Sequence, residues 1–220
     1  MNDKQKRQTR LAIILVAAIL VADQVVKYLV KTNMMLGEEF DVIGSWFRIH
    51  FTENEGFAFG TSFGGRAGKI GLTVFRLAAS CFLLWFIPHL IRKETRTSLV
   101  VSLSLIVAGA VGNLIDCLFY GLIFDTSLYN IAVLFPPEGG YAPFLEGRVV
   151  DMFYFPLFAF DWPAWMPFFG GQHFEFFNAI FNVADAAVTI GVIWLIIDQI
   201  MSENKASKEL DEKKVAVEND

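Results

Sequence analysis

The run Phe181-Asn182-Val183-Ala184-Asp185 heads an apolar stretch that continues through Ile197. A carboxylate and a carboxamide at the head of a membrane-length segment are costly unless they have partners or a task. Comparable costs recur at Asp23, at Asn113 to Asp116, and in Gly147-Arg148-Val149-Val150-Asp151. The rest of the chain fits a membrane setting: it is 55% hydrophobic, holds 23 Phe, and is only 19% charged, against about a quarter in soluble domains. The charges gather at the two ends and in short islands. Such a chain reads as a polytopic membrane protein with no basic footprint for nucleic acid.

Four apolar spans are predicted at about 11–30, 70–90, 98–119 and 177–200, each long enough for a hydrocarbon core of roughly 30 Å. Lys4, Lys6, Arg7 and Arg10 precede the first span, and Arg92, Lys93 and Arg96 lie between the second and third. Basic loops face the cytoplasm, so both termini are expected there. Span one is too long, and too interrupted by Asp23 and Lys27, for a cleaved signal peptide. Residues 32–69 read as a β-rich outer lobe and 120–176 as an outer loop or lid, whose aromatic run from Tyr154 to Phe177 suits an interfacial belt. Residues 1–200 thus form one membrane-embedded domain, and 201–220 a disordered cytoplasmic tail. Cys81 and Cys117 lack paired spacing and read as buried thiols.

Depth along the spans brings the carboxylates together. Asp23 lies about 12 residues into an outward helix, roughly 18 Å up. Asp116 falls near the outer end of span three, and Asp185 near the outer start of span four. Asp151 sits in the outer segment between them. Asp23 and Lys27 are i,i+4 and can pair, while Asn113–Asp116 and Asn182–Asp185 are i,i+3 neighbours. Gly109 and Gly112 permit close helix approach. The chain has no nucleophile–base pairing, phosphate loop or Cys/His cluster, so no metal and no cofactor is expected. Paired aspartates remain. Two close carboxylates share one proton: the ionised one takes a proton from water, and the protonated one polarises a carbonyl. The residues alone leave Asp185's partner open, with Asp116 and Asp23 the costlier placements. They also leave open a four-span transporter or channel subunit with an acidic proton or ion relay, and a scaffold.

The fragments Asp23-Gln24-Val25-Val26-Lys27, Asn54-Glu55-Gly56-Phe57-Ala58-Phe59-Gly60, Gly109 to Asp116, Gly147 to Met152 and Phe181 to Asp185 occur in an order that resembles the lipoprotein signal peptidases, the type II signal peptidases of bacteria. The resemblance covers about residues 10–200. It implies an all-α transmembrane four-helix bundle with an extracytoplasmic β-cradle and a short interfacial helix. It implies an aspartic endopeptidase of the inner membrane, active toward the periplasmic side, that cuts prolipoproteins just before the lipidated cysteine. By motif, Asp151 and Asp185 correspond to the catalytic dyad. Asp23, Lys27, Asn54, Gly56, Asn113, Asp116, Arg148 and Asn182 correspond to substrate-binding or supporting positions, or flank them. Implied partners are lipid-modified prolipoproteins, membrane lipid and globomycin-type cyclic peptides, with the enzyme a monomer. Two departures stand out. Cys117 occupies the place where the family usually has Arg, so Arg148 is expected to supply the positive charge beside Asp116. Residues 118–146 are an insertion.

Overall fold

The computed structural model describes residues 1–55 and 65–218. Four of its helices are long and apolar enough to cross a membrane. Helix α1 (Asp3–Asn33) begins at a capping box, in which Asn2 and Gln5 exchange side-chain and backbone hydrogen bonds. That reciprocal cap makes the basic lead part of the first helix. Helix α2 (Gly65–Arg92) returns, and α3 (Thr97–Ile115) runs back alongside. The most apolar window of the third span is 56% buried, against 17% for each of the other three. Thus α3 is the central helix, and the others turn one face to it and one to lipid. Exposed Ile13, Val21, Phe75, Trp85, Ile193 and Ile197 mark those lipid faces.

Two glycines let the bundle close. A Cβ at Gly109 would lie 2.1 Å from the Ala184 carbonyl oxygen, and one at Gly112 would lie 2.8 Å from Asp23 Oδ2. Any larger residue there would push the fourth span or α1 away from α3.

At Asp116 the third span changes character. A π turn, Asp116–Tyr120, leads into the single turn α4 (Gly121–Ile123). The returning chain satisfies carbonyls freed at this end: Gly147 N–H donates to Cys117 O, Ala142 N–H to Gly121 O, and Tyr141 N–H to Phe124 O. Among the described residues no separate short helix lies outside the spans, since α4 prolongs the third one.

Strands β1 (Glu39–Ile43), β2 (Phe47–Asn54) and β3 (Val149–Tyr154) pair antiparallel. β4 (Phe158–Asp161) and β5 (His173–Phe176) form a separate two-stranded sheet, and β6 (Ile180–Phe181) adds to β3. The main sheet therefore has the order β1-β2-β3-β6. Helix α5 follows as Val183–Glu218. The fourth helix starts six residues later than the hydropathy suggested, because β6 and the residues around it occupy the head of the expected span. It also continues past the apolar run: the tail expected to be disordered is helical to Glu218, in keeping with its Glu, Lys and Ala content. Cys117 is buried as expected, whereas Cys81 is exposed on a lipid-facing side of α2.

Two apolar clusters bracket a polar layer. Ala12, Ile87, Ile91, Val100, Leu103 and Val107 pack at one end of the bundle. Val30, Phe51, Tyr120, Phe124, Val150 and Met152 pack where the helices meet the sheet. Along α1 and α3 the interval between them holds Asp23, Lys27 and Asn113. Replacing Gly109 by Val should lower the unfolding temperature in detergent, since overpacking costs about 1–3 kcal/mol. Gly71→Ala, where a Cβ meets nothing within 4 Å, should leave it unchanged.

Candidate functional site

The polar layer is organised on one ammonium. Lys27 Nζ, fully buried, lies 2.9 Å from Asp23 Oδ2 and 2.7 Å from Asp116 Oδ2. It also donates to Asn113 Oδ1 at 2.8 Å. Gln24 completes this half: its Nε2 donates to Asp23 Oδ2 at 3.1 Å, Asp116 Oδ1 at 3.0 Å and Gly112 O at 3.2 Å. Its Oε1 accepts from the Tyr120 hydroxyl at 3.2 Å. The remaining carboxylate lone pairs anchor backbone from other elements. Ala184 N–H donates to Asp23 Oδ1 at 2.9 Å, and Val150 N–H to Asp116 Oδ2 at 3.3 Å. Two buried acids thereby fix the starts of α5 and β3.

The second half of the layer is held by amides. Asn182 precedes the first residue of α5, and its Oδ1 accepts from Asp185 N–H at 2.9 Å. Asp185 Oδ2 accepts from Asn182 N–H at 3.2 Å in return, the reciprocal pattern of a capping box. Asp185 Oδ1 accepts from Asn113 Nδ2 at 2.8 Å. Asn182 Nδ2 turns to the other acid, donating to Asp151 Oδ1 at 2.6 Å, with Asn113 Oδ1 at 3.0 Å and Val150 O at 3.2 Å. Asp151 Oδ2 accepts from Asn54 Nδ2 at 2.9 Å. Asn182 thus touches both Asp151 and Asp185.

Asp151 is no loop residue. It lies on β3 opposite Thr52 of β2, in the pairing that carries Asn54 to its side, and it is buried. Burial pushes its carboxyl up to about 7; the Asp185 charge adds to the rise, while Asn54, Lys27 and Asn182 oppose it. The four acids therefore divide by partner. Asp23 and Asp116 are locked by a cation. Among the described residues, neither Asp151 nor Asp185 has a Lys or Arg within ion-pair distance, and neutral amides and backbone hold them instead. A carboxylate bound to an ammonium stays ionised, whereas one bound by amides can exchange its proton.

Of the residues marked in the sequence, Asp23, Lys27, Asn54, Asn113, Asp116, Asp151, Asn182 and Asp185 meet in this one network. Gly56 lies outside the described residues. Arg148 is a correction: its guanidinium goes to Glu53 at 3.4 Å, and the cation beside Asp116 is Lys27. Cys117 receives a different guanidinium, with Arg76 Nη1 at 3.6 Å from its Sγ.

Sequence reasoning missed a second buried cluster. Lys31 Nζ pairs with Glu53 and donates to Ser127 Oγ at 2.9 Å. It lies 5.0 Å from the Tyr141 ring centroid and 5.3 Å from that of Phe124, within cation–π range. The cluster ties the end of α1 to β2 and to the 118–146 insertion. Its signal was present: Asp23, Lys27 and Lys31 recur every four residues on one face of α1, and Gln24 stands inside the first quoted fragment.

The profile of the family described as "Signal peptidase (SPase) II" matches residues 15–201. A lipoprotein signal peptidase from Porphyromonas gingivalis strain ATCC 33277 is 47% identical over 191 residues, 86% of this chain and 83% of that protein. Another from Amoebophilus asiaticus strain 5a2 is 37% identical over 183 residues, 81% and 73% of the respective chains. A solved structure described as a bacterial membrane enzyme aligns with a TM-score of 0.58 at 25% identity, covering 88% of this chain and 90% of that one.

Removing the central ammonium by Lys27→Met should cost about 3–5 kcal/mol, because two buried acids lose their counterion. Equilibrium unfolding in mixed micelles would measure it. Lys27→Met combined with Asp116→Leu should recover part of the loss.

Proposed function

Since the chain belongs to the signal peptidase II family, we propose that it is a multi-pass bacterial membrane aspartic endopeptidase that removes the signal peptide from prolipoproteins, using Asp151 and Asp185 as its catalytic dyad. The observation that carries the choice of dyad is the division of the four acids: among the described residues only these two are held by neutral donors alone, with no ion pair, and Asn182 bridges them.

The roles follow from their surroundings. Asp185 sits in the first turn of α5 and accepts from Asn113 and the Asn182 backbone, at the helix end where the backbone dipole stabilises negative charge. Asp151, with its carboxyl raised to about 7, holds the shared proton at neutral pH. Ionised Asp185 takes a proton from water as the water oxygen bonds to the scissile carbonyl carbon. Asp151 donates a hydrogen bond to the carbonyl oxygen and protonates it as the tetrahedral species forms. The proton on Asp185 then passes to the leaving nitrogen, the C–N bond breaks, and the proton on oxygen returns to the dyad. Asn54 and Asn182 orient Asp151, and Asn113 orients Asp185. The main sheet serves as the cradle for the extended peptide, offering backbone to its length. The bond cut lies just before the diacylglyceryl cysteine, the site faces the periplasm with both termini cytoplasmic, and globomycin-type peptides occupy the dyad of the monomer.

A proton or ion relay is less well supported. On α5, no ionisable side chain lies between Asp185 and Asp198, a gap of about 20 Å at 1.5 Å per residue. Asp198 is itself engaged by Arg96 at 3.1 Å and by Ser98.

Asp151→Asn and Asp185→Asn should each abolish cleavage of a lipid-modified prolipoprotein in proteoliposomes while the protein still purifies folded. Full turnover by either variant overturns the dyad. The pH profile gives a separate check. Turnover should fall as pH rises through about 7, because Asp151 then loses the shared proton. The same shift makes folding stability decline over the interval from the ordinary carboxyl range up to about 7, since the native state keeps a proton that the unfolded chain has released. The hydrogen bond from Asn54 lowers the Asp151 pKa, so Asn54→Ala should move the alkaline limb to higher pH.

A further inference from the structure

We infer that the β4–β5 hairpin is a bilayer-docking finger, whose tip inserts Trp165 and Phe168 into the membrane leaflet beside the head of α5. The hairpin is a sheet of its own, with Phe158 opposite Phe176 and Asp161 opposite His173. It leaves the main sheet after β3 and rejoins it at β6.

The tip, residues 162–172, contains no charged side chain. It is nevertheless a defined shape. Trp162 N–H donates to Gln172 O and Gly171 N–H to Trp162 O, each at 2.9 Å, while Gly170 N–H donates to Met166 O at 3.0 Å. The aromatic side chains split into two sets. Phe158 stacks on Phe176 at 4.8 Å, and Phe160 and Trp162 meet edge to face at 4.8 Å, which stiffens the shaft. Trp165 and Phe168 join none of these stacks among the described residues. They are 81% and 93% exposed.

Phe168 also has φ +71°, an uncommon conformation for a bulky residue that local structure must hold in place. A fixed, uncharged turn that strains its backbone while presenting two large rings outward is unfavourable against water. The bilayer interface is where Trp and Phe gain most from such exposure. Charge is confined to the shaft, where Asp161 pairs with His173 at 2.7 Å next to the tip, and this limits insertion to the tip. Along the chain the hairpin leads through β6 and Asn182 into the apolar span of α5, which starts at Val183. Four-residue strands reach only about 13 Å, so the tip remains near that level. A protein partner is the lesser fit, since the tip offers no charge for register and only Gln172 as a side-chain amide.

The finger also lies in the chain between β3, which carries Asp151, and α5, which carries Asp185. Docked on lipid, it holds the sheet close to the membrane from which a lipid-modified substrate arrives; this consequence rests on the peptidase reading, whereas the docking does not.

The test uses the full chain with Trp46, Trp85, Trp162 and Trp194 replaced by Phe, reconstituted in phosphatidylcholine vesicles. Shallow-brominated acyl chains should reduce Trp165 emission about twofold, and aqueous iodide should have little effect. Quenching by iodide without quenching by brominated lipid overturns the inference. Shielding from both overturns it too, in favour of a protein contact. In the otherwise native chain, Trp165→Ser with Phe168→Ser should raise KM for a vesicle-borne lipopeptide about tenfold with kcat unchanged. An unchanged KM overturns the substrate consequence. Absence of cleavage by the native chain overturns the peptidase reading and leaves the quenching result standing.

Discussion

The structure depends on one buried ammonium. Lys27 sits where α1, α3 and the head of α5 converge, and its ligands reach both α5 and β3. Asp23 carries the link from Lys27 to the Ala184 backbone, and Asp116 carries the link to the Val150 backbone. The ion cluster therefore does more than neutralise two acids. It sets the depth at which α5 begins and the height at which β3 crosses the bundle. A buried ion pair is weak evidence for net stability, because desolvation offsets much of its attraction. Its use here is registration: an apolar bundle could slide or rotate with little change in packing, whereas a lysine with two carboxylates and an amide has few acceptable positions.

The fold was legible where burial and charge oppose each other in the sequence. Four apolar runs separated by charged islands sufficed for the bundle, and Gly109 and Gly112 correctly marked the close face of α3. Legibility failed at the boundaries. Hydropathy misleads ahead of α5 because β6 is as apolar as a span, so Ile180 and Phe181 look like helix until their pairing partners on β3 are known. The π turn at Asp116 had no local mark, because the hydrogen bond to its Cys117 carbonyl comes from Gly147, which lies far along the chain.

The site was legible as a set but not as a circuit. Helical spacing joined Asp23 to Lys27 and Asn113 to Asp116. It could not show that Asn182, expected to serve Asp185 from within a helix, caps that helix with its side-chain oxygen and turns its amide N–H groups to Asp151. Arg148 was misplaced and Lys31 passed over for one reason. Both belong to the Glu53 cluster, whose members come from α1, β2, the insertion and the position just before β3, and no short-range pattern connects them. The insertion is thus part of the support under β2 and β3, since Ser127 and Tyr141 contact the same buried lysine.

Placement cost alone would have chosen Asp23 or Asp116 as the partner of Asp185, being acids deepest in the spans. In the proposed dyad the hydrogen-bond partners reverse that order. An acid held by an ammonium and by backbone N–H groups gains from staying charged, so changing its protonation works against the packing of two helices. An acid held by carboxamides loses less when it takes up a proton than one facing an ammonium, because an amide donor favours the carboxylate more weakly than a full positive charge does, and the amide oxygen can accept in return. At the proposed dyad, proton exchange would then leave the lysine-held contacts of α5 and β3 in place. The costlier placements are the framework, and the cheaper one on β3 keeps the freedom that acid–base chemistry requires.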